Sequence, residues 1–269
     1  MLRDITFGQY YESHSVIHKT DPRIKIVLLI LLIVFIFLAK NGFALGFAAL
    51  SVILMMLITK IPLKLYFKNM KAILPVLIFT AVLNLFYGES GRVLLSFWKL
   101  QITTDGVSRA IFMASRIILL IFISSALTYT TTPNDLTDAI ERLLGPLKFI
   151  GLKNAVHTLA MMMTIALRFI PTLIEEAEKI MNAQKARGAD LENGKLTERV
   201  KALIPILIPL LISSVRRAYE LAEAMECRCY NGGEGRTRMR QMHLAARDFI
   251  VLGASFIICG GILTLNILL

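Results

Sequence analysis

Long apolar runs, each near the length of a bilayer crossing, divide this chain. A span needs roughly 17–25 mostly apolar residues. The first run, Ile24 to Ala39, follows Asp21-Pro22. Aspartate caps a helix and proline suits its first position, so a helix starts there. Phe43 to Thr59 is the second run, and Ile73 to Tyr87 the third, with Pro75 near its entry. The fourth runs from about Val107 to Tyr129 and the last from Phe249 to Leu268. The pattern therefore predicts an all-α, polytopic membrane protein with about five transmembrane helices.

Between the fourth and last runs the pattern changes from uniformly apolar to amphipathic. Thr132-Pro133-Asn134-Asp135 is a helix start, and Gly145-Pro146 stops that helix just after Leu143-Leu144. A second helix is predicted from Ala155 to Gln184. Its first part, His157 to Leu173, holds Arg168 and Pro171, which favours the membrane interface over insertion. Leu173, Ala177, Ile180, Gln184 and Arg187 fall on one face of it. A third helix starts near Leu196. Its apolar part, Ala202 to Val215, is shorter than a span and is expected to be interrupted by Pro205 and Pro209. Beyond it, Leu211, Ala218, Leu221, Met225 and Arg228 recur at helical spacing.

The two charged helices end alike. One closes Ala183-Gln184-Lys185-Ala186-Arg187-Gly188 and the other Ala224-Met225-Glu226-Cys227-Arg228-Cys229. In each, an arginine near the helix end lies between small residues. The macrodipole explains a cation at one helix terminus, worth under about 1 kcal/mol. It does not explain two, each flanked by small residues that leave the guanidinium protruding. A planar guanidinium binds carboxylates bidentately and stays charged, so the tips Ala186, Arg187, Gly188 and Cys227, Arg228, Cys229 are read as docking points for a soluble partner.

Charge orients the spans. Lys60, Lys64, Lys68 and Lys71 follow the second run with no acid, whereas Glu89, Arg92, Lys99 and Asp105 mix signs after the third. The positive-inside rule then puts the N-terminus in the cytoplasm, residues 131–247 inside and the C-terminus outside. Met1-Leu2-Arg3-Asp4 opens a polar stretch, so the first apolar run is expected to be retained as a span. Composition agrees with a membrane protein: 56% of the 269 residues are hydrophobic, and mean hydropathy is +0.65. The net charge of +11 could suggest nucleic acid. Its clustering beside spans is better explained by anionic lipid, and no nucleic-acid motif occurs.

Candidate chemistry is thin. Cys227-x-Cys229 has only His243 nearby, short of four zinc ligands. Cys227, Cys229 and Cys259 form no disulfide framework. Gly232-Gly233-Glu234-Gly235 lacks the Gly-Lys-Ser/Thr ending of a phosphate loop, and no Walker A sequence occurs, so any ATP hydrolysis belongs to another chain. No catalytic set, metal site or cofactor is predicted. Arg116 lies about ten residues into the fourth run, roughly 15 Å deep. A charge there costs about 3 kcal/mol unless it is paired or hydrated. It is read as a brace to a neighbouring helix or as a contact with another membrane subunit. Met161, Met162 and Met163 pack or form an adaptable sliding contact. With Arg168, they complete the candidate membrane-subunit contacts.

These segments together resemble the transmembrane T component of energy-coupling-factor (ECF) transporters, which are ABC-type importers for vitamins and transition-metal ions. The resemblance runs nearly end to end. It is carried by Ser15 to Lys25 before the first span, Thr130-Thr131-Thr132-Pro133, Arg168-Phe169-Ile170-Pro171-Thr172-Leu173, Asn182 to Gly188 and Ala224 to Tyr230. It implies a membrane domain over 1–130, a cytoplasmic or interfacial coupling-helix domain over 131–247 and a C-terminal transmembrane helix over 248–269. It implies that each tip arginine enters a groove on one of two ATP-hydrolysing subunits. The chain would also hold a substrate-binding S component in the bacterial plasma membrane. Ala186-Arg187-Gly188 matches the family motif fully. Cys227-Arg228-Cys229 keeps the arginine but has cysteine where alanine and glycine are usual, which bears on how sharply that helix ends.

Two rivals are weighed. A permease subunit of a conventional ABC importer carries Glu-Ala-Ala with glycine four residues later. Here Glu176-Ala177-Glu178 meets glycine only at Gly188. An integral-membrane enzyme would need the catalytic set that is missing.

Overall fold

A computed structural model describes residues 10–13, 15–86, 93–97, 100–146, 153–189, 196–232 and 243–268. Among them are eight helices: α1 (Pro22–Leu38), α2 (Gly42–Thr59), α3 (Leu63–Phe86), α4 (Thr104–Thr130), α5 (Pro133–Leu143), α6 (Lys153–Ala186), α7 (Leu196–Cys227) and α8 (Ala246–Leu268). A short antiparallel ribbon, β1 (Val93–Phe97) with β2 (Leu100–Thr103), precedes α4. The architecture is all-α and polytopic; the ribbon, and the span-length apolar windows of α6 and α7 where interfacial segments were expected, go beyond the sequence expectation. Six of these helices are long and apolar enough to cross a membrane: α2, α3, α4, α6, α7 and α8. Helix α1, at 17 residues, sits at the short limit of a span.

The described residues form two compact units. One lies within Gly8–Ala139 and Arg240–Leu269, the other within Ile140–Met239. The first unit is built on small-residue packing, as lipid-embedded helices require: apolar tails give helices no hydrophobic reason to associate, so close approach does. Ala44, Ala48, Val52 and Met56 make one buried stripe along α2, and they cluster with Ile36, Leu119, Ile123, Ala126 and Ile262. The opposite face of α2 presents Phe43, Leu50, Leu54 and Leu57 outward. Tyr66 and Tyr129 meet edge to face at 5.5 Å, and the Tyr129 hydroxyl donates to the Leu65 carbonyl at 3.1 Å.

Helices α1 and α8 run side by side and parallel, tied at both ends. At the start, the Asp21 N–H donates to Asp248 Oδ1 at 2.9 Å. At the far end, Asn266 donates to the Leu38 carbonyl at 3.1 Å and accepts from the Lys40 N–H at 3.0 Å. Asp21 caps α1 through the Arg23 N–H at 2.9 Å, as its Asp-Pro start predicts. Thr132 caps α5 through the Asp135 N–H at 3.2 Å, again as predicted.

Three expectations are corrected. Helix α3 begins at Leu63 rather than Ile73, so Lys64, Lys68 and Lys71 lie on the helix, not in a loop. Their spacing is helical, and all three are exposed on one face. Pro75 is inside α3. Pro205 and Pro209 do not interrupt α7, which is continuous over 32 residues. They are four apart and exposed, so their missing hydrogen bonds fall on one outer side of the helix. Glu89, Arg92 and Lys99 lie outside the described residues.

Candidate docking site

The second unit contains both arginine-tipped helices. Helices α6 and α7 pack against each other in opposite directions. Glu176, midway along α6, accepts from the Ser213 hydroxyl and from Arg217 Nη2, the latter at 2.8 Å. Nearer the start of α6, Met161, Thr164 and Ile165 face Leu221, Met225 and Arg228 across a cleft of about 590 Å³. Arg228 therefore sits level with the beginning of α6. Arg187 stands at the other extremity, twenty-six residues beyond Met161, which is about 39 Å of helix axis at 1.5 Å per residue.

The two tips share one backbone geometry. At the end of α6, the Gly188 N–H donates to the Lys185 carbonyl at 3.0 Å and the Ala189 N–H to Gln184 at 3.0 Å. At the end of α7, the Cys229 N–H donates to Glu226 at 2.9 Å and the Tyr230 N–H to Met225 at 3.1 Å. Both are Schellman motifs, position for position. Each needs a left-handed residue after the cap: Gly188 has φ +87°, and Cys229 has φ +56°. Cysteine thus takes the conformation glycine takes, at a cost of about 1–2 kcal/mol. Replacing glycine by cysteine does not blur the second helix end. In both motifs the arginine is the cap residue itself.

The tips are also alike electrostatically. Arg23, Arg109 and Arg217 each pair with a carboxylate. Arg187 and Arg228 are exposed, and neither is paired among the described residues. Ala186, Gly188, Cys227 and Cys229 beside them are exposed as well. Two rigidly presented guanidinium groups, unpaired among the described residues, can each donate two parallel N–H bonds to one carboxylate of a partner.

The remaining candidates disperse. Met161 shares the cleft with Arg228 and Cys229, while Met162 and Met163 are 57% and 43% exposed on α6. Arg168 is exposed on the same helix. Arg116 belongs to the other unit. Its Nη2 donates to the Ala39 carbonyl at the end of α1, and its guanidinium lies 4.9 Å from the Phe112 ring centroid. That is bracing geometry, and it satisfies the carbonyl left open by the helix end.

Sequence periodicity placed Leu173, Ala177, Ile180 and Gln184 on one face of α6, and all four are half-buried. On α7 it was partly wrong. Leu221 and Met225 face inward, but Leu211 is 65% exposed and Ala218 is exposed. The inner face runs instead through Leu210, Ser213, Ser214 and Arg217. Its polar clasp to Glu176 hides it from a hydrophobic pattern. The one available signal was Ser213 and Arg217 at i and i+4.

The fold defines a multi-pass α-helical membrane protein with a separately packed, arginine-tipped helix pair. The family described as "Cobalt transport protein" (CbiQ) matches residues 13–239. The energy-coupling factor transporter transmembrane protein EcfT of Ruminiclostridium cellulolyticum is 50% identical over 257 residues, covering 96% of this chain and 95% of that protein. The EcfT of Clostridium kluyveri is 48% identical over 266 residues, covering 98% of each chain. The EcfT of Listeria innocua is 40% identical over 260 residues, covering 97% of each. The chain belongs to the EcfT family of energy-coupling factor transporter membrane proteins. It is a membrane subunit of a transporter and not itself an enzyme.

Proposed function

We propose that this chain is the scaffold and energy-coupling subunit of an ECF-type importer in the bacterial plasma membrane. Two ABC ATPases dock on it, one at Ala186-Arg187-Gly188 and one at Cys227-Arg228-Cys229. A separate S component binds the substrate, a vitamin or a transition-metal ion. Met161, Met162, Met163 and Arg168 contact that membrane partner, and Arg116, whose guanidinium also braces α1, completes the set. Residues 1–130 and 248–269 form the membrane part and 131–247 the coupling part, with the N-terminus inside and the C-terminus outside. The observation that carries this reading is the matched pair of Schellman ends, each holding an arginine unpaired among the described residues, at opposite extremities of one antiparallel helix pair. Two separated tips of the same backbone geometry suit two similar partners that move relative to each other. ATP-driven motion at the tips is carried along α6 and α7 to the S component.

Co-purification tests it. Mild detergent extraction of the tagged chain should bring down two ATPase chains and a small hydrophobic membrane protein, and ATP hydrolysis should track the ATPases. A chain that purifies alone and transports by itself would be a different kind of permease.

A further inference from the structure

A groove of about 360 Å³ opens between α1, α2, α4 and α8 in the first unit. That volume is in the range of small-ligand pockets. Its walls include Leu28, Leu32, Ile58, Ile123, Ala254 and Ile258. Ser51 and Ser255 also line it, but each hydroxyl is spent on a carbonyl of its own helix, at 2.9 and 2.7 Å. Polarity is confined to one end, where Thr20, Lys25 and Thr130 meet. That end lies where α1 and α8 begin and α2 and α4 finish, so it stands at a membrane–water boundary.

Lys25 is the group that asks for a ligand. It is 7% exposed. Its ammonium donates to the Thr130 carbonyl at 2.9 Å and the His18 carbonyl at 3.2 Å. A lysine has three protons to donate, so one remains. Asp135, Asp21 and Asp248 all bear on it electrostatically, but no carboxylate among the described residues comes within ion-pair distance of its ammonium; Asp21 is paired with Arg23 at 2.6 Å, and Asp248 accepts the Asp21 and Ala245 N–H groups. Thr20 and Thr130 donate to carbonyls of their own segments, leaving Lys25 as the donor at this end.

An apolar slot with one buried ammonium at its mouth, set at the headgroup level, is complementary to an amphiphile. We propose that this groove binds one phospholipid, an acyl chain lying along α1 and α8 and the phosphodiester held by Lys25. A chain of methylenes, each about the size of a water at ~30 Å³, fills the slot as roughly one acyl tail. The lipid completes the packing between four helices, and neither a soluble partner nor a substrate is needed to explain the groove.

The test is native mass spectrometry of the full chain released from nanodiscs containing phosphatidylglycerol or, in a second arm, diacylglycerol. The unaltered protein should retain one phosphatidylglycerol and prefer it to diacylglycerol by about fivefold, the worth of one lysine at a membrane surface. Ala254→Phe puts a phenyl ring into the slot and should lower retention by about tenfold or more. Ile257→Phe, on the outward face of α8 at 76% exposure, should retain lipid normally. Lys25→Met should erase the preference for the phosphate-bearing lipid. Equal retention by Ala254→Phe and the unaltered protein would overturn the proposal. So would no retained lipid in the unaltered protein, or lipid held only until partner subunits bind, which would assign the groove to a protein helix.

Discussion

Asp248 ties two helix starts together in the first unit. It is 2% exposed, and its two carboxylate oxygens accept from two helix starts. Oδ1 takes the Asp21 N–H at 2.9 Å, and Oδ2 takes the Ala245 N–H at 2.8 Å. The first bond ties α8 to α1; the second completes half a capping box at the start of α8. A hydrogen bond to a charged acceptor is worth about 1.5–3 kcal/mol. Ala245 is exposed, so water replaces part of its bond, and Asp248→Ala should cost about 3 kcal/mol in total. Asp248→Asn keeps one side-chain oxygen and should cost about half that. At roughly 2–4 °C per kcal/mol for a chain of this size, the alanine variant should melt about 6–12 °C lower. Cys259 is buried in the same helix and reports unfolding to a thiol-reactive dye once the exposed Cys227 and Cys229 are replaced by serine. If both Asp248 variants melt within a degree of the parent, the carboxylate is not holding the two helices together.

Further expectations concern packing, helix ends and topology. A Cβ on Gly106 would stand 2.5 Å from the Leu85 carbonyl oxygen, so Gly106→Ala should part α3 from α4 at about 1–3 kcal/mol, while Gly42→Ala, with open space, should be near neutral in the same melt. Cys229→Gly should relieve about 1 kcal/mol of left-handed strain, and Gly188→Ala should add about as much. Amide exchange at Tyr230 and Ala189 reads the two helix ends separately, and no change at either would refute the shared motif. Single cysteines at Gly91 and Gly194 should label from opposite sides of the membrane; labelling of both from outside intact cells would refute the orientation.

Legibility in the sequence followed the physics of each element. Helix starts marked by Asp21-Pro22 and Thr132-Pro133 were readable because capping chemistry is local. The arginine tips were readable as a repeat, but their common Schellman geometry was not, because cysteine at a left-handed position is uncommon. Helix α3 was cut short because Lys64, Lys68 and Lys71 lower the hydropathy of its first turns, although their spacing is helical. The ribbon was missed because only Trp98 and Lys99 separate its strands, and they are not a favoured hairpin pair. The clasp of Glu176 with Ser213 and Arg217 was invisible to a pattern that counts only apolar residues. The tie from Asp248 to the start of α1 has no local signature, since the two partners lie 227 residues apart.

Under the proposed function, Arg187 and Arg228 would each anchor one ATPase. Loss of one partner from a buried charge pair costs about 2–5 kcal/mol, a factor of roughly 30 to several thousand in affinity. The most direct measurement is ATPase pull-down by Arg187→Ala, Arg228→Ala and the double variant from membranes, with substrate uptake measured beside it. Each single change should weaken capture, lysine should restore it poorly, and the double variant should hold no ATPase and transport nothing while still inserting and melting like the parent. A double variant that captures both ATPases and transports normally would contradict the account.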